Sequence, residues 1–366
     1  MALDRKNLVA LMKTVAKADP SAPVAYAFGD DKLSYEALNE TLRSELNAYA
    51  DTYRNYEANK QLIFSIIEET LDDVLPKKVA DAYSQFAEVK TFAQGDKPLF
   101  RRKVSARNRA KQFITKVGLA GRYEVFKLNG TESFEVPTSA IGGAAQIGFE
   151  EFLDGRVDFA EMLDIVMEGM DELIYREVAH AMVDSIGQLP AANRISVAGY
   201  DEVAFDNLLS IASAYGEPTI YCTMEFAVKM IPAEAWRYTE AMKDELFRNG
   251  HFATYKGRRV VILPQGVEDE SNTRKVLDPG YVWIIPNGGD SKPVKIAFEG
   301  ATHMKESEND DWSRDIQVYK KVGVVAMMGN HICSYIDTTL KGQLDYKTYD
   351  TVAGVKSVAG WFGKAE

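Results

Sequence analysis

One uninterrupted stretch, residues 158–186, constrains the fold more than any other part of the chain. Asp158 and Glu161 suit the start of a helix as capping residues, and Gly187 and Pro190 follow its end. The pattern predicts a single helix about 40 Å long, far above the three-turn average of globular proteins. Such a helix spans a domain. Its apolar stripe, at helical period, consists of Phe159, Met162, Leu163, Val166, Met170, Leu173, Ile174, Val178, Met182 and Ile186.

Charge is distributed unevenly along this part of the chain. Residues 150–184 hold eleven Asp or Glu against only two Arg, and most of the acids fall off the apolar stripe. Residues 97–122 are the opposite, with nine Lys or Arg and no acid, in a chain of net charge −11. A charge-rich helix face is usually just a solvated surface. The reversal of sign between neighbouring segments, however, indicates two complementary surfaces.

The bulk composition sets broad limits on the function. With 366 residues and 46% hydrophobic content, the chain can form two domains or one elaborated domain. We find neither a secretory signal nor an apolar window of membrane-span length, which predicts synthesis and use in the cytoplasm. Cys222 and Cys333 lack CxxC spacing and are predicted to be buried, reduced thiols. The acidic balance argues against tight wrapping of nucleic acid, although a local basic patch could touch it.

The part of the chain before the long helix divides into two segments of different pattern. Residues 1–94 look helical and accessory, with Pro76 predicted to end one helix and a short one following over 77–89. Residues 99–136 are predicted to form a long β-hairpin. Both of its faces mix apolar residues with Arg and Lys, so it is expected to need another surface to pack against. Gly142 and Gly143 are interpreted as a flexible hinge into the long helix.

Residues from about 190 to 340 alternate helix and strand and then become strands only. We expect helices over 201–214 and 232–248 and a buried strand over 219–223, followed by further strands. The acidic segment around His303 is predicted to be a hydrated loop. The fold class is α+β, with the sheet and helices between about 190 and 340 expected to form one compact domain. The later strands are expected over 258–263, 281–285, 294–298 and 315–322.

The sequence carries no recognisable catalytic constellation. The four histidines are scattered, no Ser lies in a GxSxG setting, and the glycines near residue 142 lack the Lys of a P-loop. The acidic residues of the long helix could pair as general acid and base, but the sequence shows no recognisable partner residue for them in a pocket. Neither a cofactor nor a metal is implied. We therefore favour self-assembly, with the basic hairpin of one copy lying against the acidic helix of the next. Head-to-tail contacts of this kind build rings when they close.

In the order of its segments, the chain resembles the major capsid proteins of tailed bacteriophages, the Hong Kong ninety-seven type fold that encapsulins share. The basic hairpin then matches the family's E-loop, and the long helix matches its spine helix. The resemblance implies a helical N-terminal arm or scaffold-like segment at 1–94, either removed by a maturation protease or retained. It further implies an E-loop and connection at 95–150, a peripheral domain at 151–190 and 292–322, an axial domain at 191–291 and 323–340, and a tail at 341–366.

The resemblance also implies a function and a set of contact residues. The protein would be a non-enzymatic major capsid protein, assembling into pentamers and hexamers of an icosahedral shell around the phage genome. Its partners would be many copies of itself, scaffold and portal proteins, possible decoration proteins, and double-stranded DNA held weakly; it would assemble in the host cytoplasm and reside in the virion. The expected inter-subunit residues are Arg101, Arg102, Lys103, Arg107, Arg109 and Lys111 on the E-loop, and Glu161, Asp164, Glu168, Asp171 and Glu172 on the spine helix.

Two alternatives remain open from the sequence. The first is an encapsulin-like shell, which would enclose a cargo enzyme rather than a genome. The second is a cytoplasmic α+β enzyme, which would need a histidine or carboxylate pocket that the pattern does not reveal.

Overall fold

The computed structural model describes residues 4–18, 26–28, 31–103, 131–147, 159–231, 240–267, 275–287, 292–308 and 314–340. The chain divides into two compact units. The first unit comprises Met1–Arg101, Ser133–Tyr175 and Val294–Val325. The second comprises Arg102–Glu132, Arg176–Pro293 and Ala326–Glu366.

Helices and strands are mixed along the described chain, and the α+β class is confirmed. The helices are α1 (Arg5–Val15), α2 (Tyr35–Ala50), α3 (Tyr53–Tyr83), α4 (Phe159–Asp184), α5 (Glu202–Ser213), α6 (Met224–Lys229) and α7 (Glu240–Asn249). The strands are β1 (Tyr26–Phe28), β2 (Asp31–Leu33), β3 (Ala87–Phe92), β4 (Leu99–Lys103), β5 (Thr131–Glu135), β6 (Ser139–Ile147), β7 (Arg194–Val197), β8 (Glu217–Cys222), β9 (Thr254–Tyr255), β10 (Arg258–Ile262), β11 (Tyr281–Asn287), β12 (Val294–Glu308), β13 (Arg314–Ala326) and β14 (Cys333–Asp337).

The first unit combines a bundle of α1, α2 and α3 with a four-stranded sheet of order β3-β12-β13-β6. Leu8, Leu11 and Met12 of α1 are fully buried, as are Leu38 and Leu42 of α2. In the sheet, β12 runs parallel to β3, and β13 runs antiparallel to β6. Chain segments from before and after α4 therefore form a single sheet.

The second unit is built on a six-stranded mixed sheet of order β7-β14-β11-β8-β10-β9. β8 lies between β11, which is antiparallel to it, and β10, which is parallel. Phe205 and Leu208 of α5 pack with Phe226 of α6 in the core of this unit, and the ring of Tyr335 lies 5.4 Å from that of Phe205. Cys222 and Cys333 are buried free thiols in the same core, and burial raises the pKa of each to about 12. They are thiols at neutral pH, as predicted.

Several local predictions are confirmed. The long helix is present as α4, and a short 3-10 turn, Ser185–Gln188, follows it. The helix predicted over 201–214 is α5, and the Asp201 side chain caps it by accepting from the backbone N–H groups of Val203 and Ala204 at 2.9 and 3.3 Å. The buried strand predicted over 219–223 is β8. For the helix predicted over 232–248, the described part is α7, and its first residues lie outside the described part.

The prediction that Pro76 ends a helix is wrong. α3 is a single helix of 31 residues, and Pro76 lies inside it. Residues 87–92 are a strand rather than the end of a third helix. Proline removes one backbone hydrogen bond and disfavours a helix interior. Buried side chains on both sides of it, among them Leu71, Leu75 and Val79, hold the two halves in one line. Tertiary packing overrides the local preference.

Two other segments predicted to be irregular are strands. Gly142 and Gly143, predicted to form a hinge, lie in β6, which pairs with β13 along its whole length. The segment around His303, predicted to be an acidic loop, is the second half of β12, which extends to Glu308. Moreover, β12 and β13 join the sheet of the first unit, so residues 190–340 are not one compact body. The central hairpin residues, 104–130, lie outside the described part.

The two glycines of β6 differ in the space around them, which provides a test of the sheet. A Cβ atom on Gly142 would overlap the carbonyl oxygen of Val318, whereas one on Gly143 would meet nothing within 4 Å. We expect Gly142→Ala to destabilise the unassembled subunit by about 1–3 kcal/mol, because β13 must shift. The matched variant Gly143→Ala should change stability by less than about 1 kcal/mol. Equal effects in urea unfolding would contradict this register.

Asp337, at the end of β14, is a fully buried carboxylate, and it links several parts of the second unit. It accepts hydrogen bonds from Lys229 Nζ and from the backbone N–H groups of Gly199 and Thr339, each at 2.8 Å. Burial alone would raise the pKa of Asp337, but these donors outweigh burial and lower it from 3.8 to about 2. The charged form is therefore the stabilised one.

The depressed pKa of Asp337 predicts how stability depends on pH. Because the folded pKa lies below the unfolded one, this contribution is present above about pH 4 and is lost as pH falls towards 2. A shift of this size corresponds to about 2 kcal/mol. Asp337→Asn should lower the free energy of unfolding at pH 7 and flatten its decline between pH 4 and 2, measured by urea titration. An Asp337→Asn protein with the wild-type acid profile would show that other groups control it.

Candidate subunit interface

The first half of α4 has one buried and one exposed side, at helical period. The buried side contains Met167, Met170 and Ile174. The other side, termed here the exposed α4 face, is formed by Ile165, Glu168, Gly169 and Glu172, at spacings i, i+3, i+4 and i+7. An aliphatic side chain and two carboxylates thus lie together on one strip of surface.

Ile165 is the residue of this face that the sequence reasoning missed. It is 64% exposed, while Met167, also absent from the predicted stripe, is buried at 3%. The predicted stripe used Val166 instead, which is only partly buried. In a helix that is apolar at so many positions, the period alone allows a stripe rotated by one residue. The sequence did contain a signal that Ile165 is exposed. Ile165 lies three residues before Glu168 and seven before Glu172, which places it on the acidic side of the helix.

Asp171 is more buried than Glu168 and Glu172, and it forms an ion pair with a residue of its own chain. Its Oδ2 lies 3.7 Å from Nζ of Lys78 on α3. The carboxylate is half-buried, and burial raises its pKa, although Lys78 opposes the shift. Next to it, the ring of Tyr175 stacks on Tyr83 of α3, with ring centroids 5.9 Å apart. Asp171 therefore helps to fasten α4 to α3 and is a less suitable partner for another subunit than the exposed acids are.

The second half of α4 carries two titratable groups that burial shifts towards neutrality. Burial and the nearby Arg176 lower the pKa of His180 to about 4, so this histidine is uncharged at neutral pH. Burial also raises the pKa of Glu177. His180 itself is partly buried in the subunit.

The base of the basic hairpin is anchored through Phe100 of β4. Phe100 is fully buried, and it packs with Val136 and Ala297 and against the rings of Phe92 and Phe134. Arg101, the next residue, is exposed. Because side chains alternate along a strand, an inward Phe100 directs Arg101 outwards. The first strand of the hairpin is thus fixed at Phe100 and carries an exposed positive charge at Arg101.

The remaining predicted contact residues are only partly described. Arg102 and Lys103 belong to β4, and Glu161 and Asp164 belong to α4, but their side chains lie outside the described part. Arg107, Arg109 and Lys111 lie outside the described residues altogether. Among the predicted contact residues whose side chains are described, Arg101, Glu168 and Glu172 are exposed.

Two searches of the described chain give negative results. No group of three or more His, Cys, Asp or Glu among the described residues is placed to hold a metal ion. None of the described helices has the length and apolar character needed to cross a membrane.

Comparison with known proteins indicates the class to which this protein belongs, a structural protein of a capsid. The family model described as "SPbeta prophage-derived putative capsid protein YonB" matches residues 7–337. The chain belongs to this family. The predicted function as a structural capsid protein, rather than as an enzyme, is confirmed.

Solved structures give further, more distant likenesses. The virus-like particle from Pyrococcus furiosus is 14% identical with a TM-score of 0.42, covering 73% of this chain and 98% of that chain. The head of Helicobacter pylori bacteriophage KHP40 is 13% identical with a TM-score of 0.44, covering 70% and 90%. The SrpI encapsulin from Synechococcus elongatus is 10% identical with a TM-score of 0.43, covering 72% and 88%. No curated protein matches the sequence.

The two sides of α4 can be distinguished by a matched pair of substitutions. Ile165→Ser should change the stability of the unassembled subunit by less than about 0.5 kcal/mol, because the side chain is already exposed. Ile174→Ser removes a side chain that is only 1% exposed and should cost about 2–5 kcal/mol. The measurement is urea unfolding followed by circular dichroism. A large loss in Ile165→Ser would mean that the exposed α4 face is covered within the subunit.

Proposed function

We propose that this protein is the major capsid subunit of a tailed phage, forming the pentamers and hexamers of an icosahedral shell around the phage genome. The observation that carries the proposal is the family match over residues 7–337. In this proposal the six-stranded sheet belongs to the axial domain of the capsomer. α4, β12 and most of β13 belong to the peripheral domain. The domain limits predicted from the sequence are retained as part of the proposal.

The contact we propose between copies joins the basic hairpin of one subunit to the exposed α4 face of its neighbour. Arg101 supports the hairpin side, since it is exposed while Phe100 fixes the strand from below. Glu168 and Glu172 support the helix side, and the exposed Ile165 lies one turn before Glu168 on the same strip. Arg102, Lys103, Arg107, Arg109 and Lys111 would extend the basic surface, and Glu161 and Asp164 the acidic one.

This charge arrangement suits a shell that has to assemble without errors. Exposed ion pairs add little affinity, typically below about 1 kcal/mol each, but they steer approach and fix register. A weak contact repeated around a ring can dissociate when it is misplaced and still hold when all copies are present. Asp171 contributes less to this contact in the proposal, because Lys78 of the same chain already pairs with it.

Other partners belong to the proposal at a coarser level. A capsid of this kind needs a portal and a scaffold, and it can carry decoration proteins. With a net charge of −11, the subunit would hold packaged double-stranded DNA only weakly, which permits its release. Assembly would take place in the host cytoplasm, and the finished protein would reside in the virion.

The hairpin contact is tested by reversing its charge. The triple variant Arg101→Glu, Arg102→Glu, Lys103→Glu should still fold, because it leaves Phe100 and the core around it in place. It should fail to form shells or capsomers, because the hairpin would then repel the acidic helix of the neighbour. Negative-stain electron microscopy and size-exclusion chromatography measure assembly, and circular dichroism measures folding.

A charge swap and a matched control make this experiment specific. Adding Glu168→Lys and Glu172→Lys to the triple variant restores complementarity and should restore assembly at least in part. Reversing three basic residues at other exposed positions, Lys6, Arg54 and Lys305, changes the net charge equally and should leave assembly intact. Normal shells from the triple variant would refute the proposed contact while leaving the capsid function unaffected.

A further inference from the structure

The sequence left open whether the N-terminal residues are removed during maturation or retained. In the structure, β3 is a strand of the sheet of the first unit, and α3 leads directly into it. β3 pairs in parallel with β12 over six residues, from Ala87 with Val294 to Phe92 with Glu299. Only three residues separate the end of α3 from β3. Removal of the N-terminal segment up to residue 92 would therefore also remove the strand β3 from the sheet.

A second attachment is a set of polar contacts between α3 and the strands β12 and β13. Asp72 accepts hydrogen bonds from the backbone N–H and the hydroxyl of Thr302, at 2.8 and 2.6 Å. It also pairs with Nζ of Lys320, whose side chain is 2% exposed. Glu68, one turn earlier, accepts from the backbone N–H of Met304 at 2.7 Å. The Asp72–Lys320 pair acts as a latch between the helix and the sheet.

A third attachment connects α1 to α3. Leu8, Leu11 and Met12 of α1 are fully buried. Two ion pairs at the rim join the helices, Arg5 with Glu69 at 2.9 Å and Lys13 with Asp73 at 2.6 Å. The earliest described helix is thus packed onto the same structure.

Loss of the segment would leave buried charge without its partners. Lys320 would lose Asp72, and Lys295, whose side chain is 1% exposed, would lose Glu88. An unpaired buried lysine is strongly destabilising. A segment made for removal should leave behind a surface that is stable without it, and this one leaves two lysines and an apolar sheet face.

We infer that residues 4–92 stay attached in the finished shell, as a permanent part of the wall of each subunit. The inference rests on the proposed capsid function and goes beyond it. It means that scaffold activity during assembly has to come from somewhere other than a removable N-terminal domain of this chain.

The direct test is the intact mass of this chain in mature virions. The expected result is a subunit of 40.8 kDa, apart from trimming before residue 4 or after residue 340. A mature subunit that starts anywhere after residue 4 would overturn the inference, even if shells form normally. Absence of the chain from virions would instead overturn the capsid function, so the two failures are distinguishable.

The latch is tested separately on the unassembled subunit. Asp72→Asn keeps an acceptor for Thr302 and removes the charge that Lys320 needs, so we expect the melting temperature to fall by roughly 5 °C or more. The matched control is Asp73→Asn, because Asp73 is exposed and pairs with Lys13. This control should shift the melting temperature by about 1 °C or less. Adding Lys320→Met to Asp72→Asn should recover at least half of the loss. Equal shifts for Asp72→Asn and Asp73→Asn would overturn the latch.

Discussion

A lysine inside a β-sheet has to be paired, and much of the first unit is arranged around that requirement. Lys320 on β13 and Lys295 on β12 are both buried, and their carboxylate partners come from the N-terminal part of the chain, from Asp72 on α3 and Glu88 on β3. Desolvation of an ammonium group costs several kcal/mol unless a counter-charge and hydrogen bonds accompany it. The four groups therefore tie residues far apart in sequence into one cooperative structure. A pattern of apolar residues alone would not specify which helix lies on which strand, and these pairs supply that specificity.

The helix α4 serves two surfaces with one sequence. Its buried side is apolar, and Asp171 and Tyr175 extend the contact to α3 through Lys78 and Tyr83. The opposite strip, from Ile165 to Glu172, remains exposed. Because the buried side alone fixes the helix in the subunit, the exposed strip is free to vary in charge without loss of the fold. This separation allows a subunit to keep its stability while the contacts between copies remain weak.

Features that depend on local chemistry could be predicted from the sequence. The period of apolar residues predicted α4, Asp201 identified the start of α5, and the unbroken apolar run predicted the buried strand β8. Three features that depend on distant residues could not. Pro76 remains helical because core side chains hold both sides of it. Gly142 is in a strand because β13 passes too close for a side chain. The acidic residues after Gly300 are in a strand because β12 continues beside β13.

The candidate site shows the same division. The charges at its two surfaces could be read directly, since net charge along a chain needs no structure. Which acids remain exposed could not, because that depends on the position of Lys78 on a helix some ninety residues earlier, which engages Asp171 and leaves Glu168 and Glu172 on the outside. In the proposed contact this selection has a physical consequence. A half-buried carboxylate that is paired within its own chain is hard for a neighbouring subunit to reach, whereas an exposed carboxylate is accessible to it. The hairpin should therefore meet α4 along the Glu168–Glu172 strip, and assembly need not disturb the packing of α4 on α3.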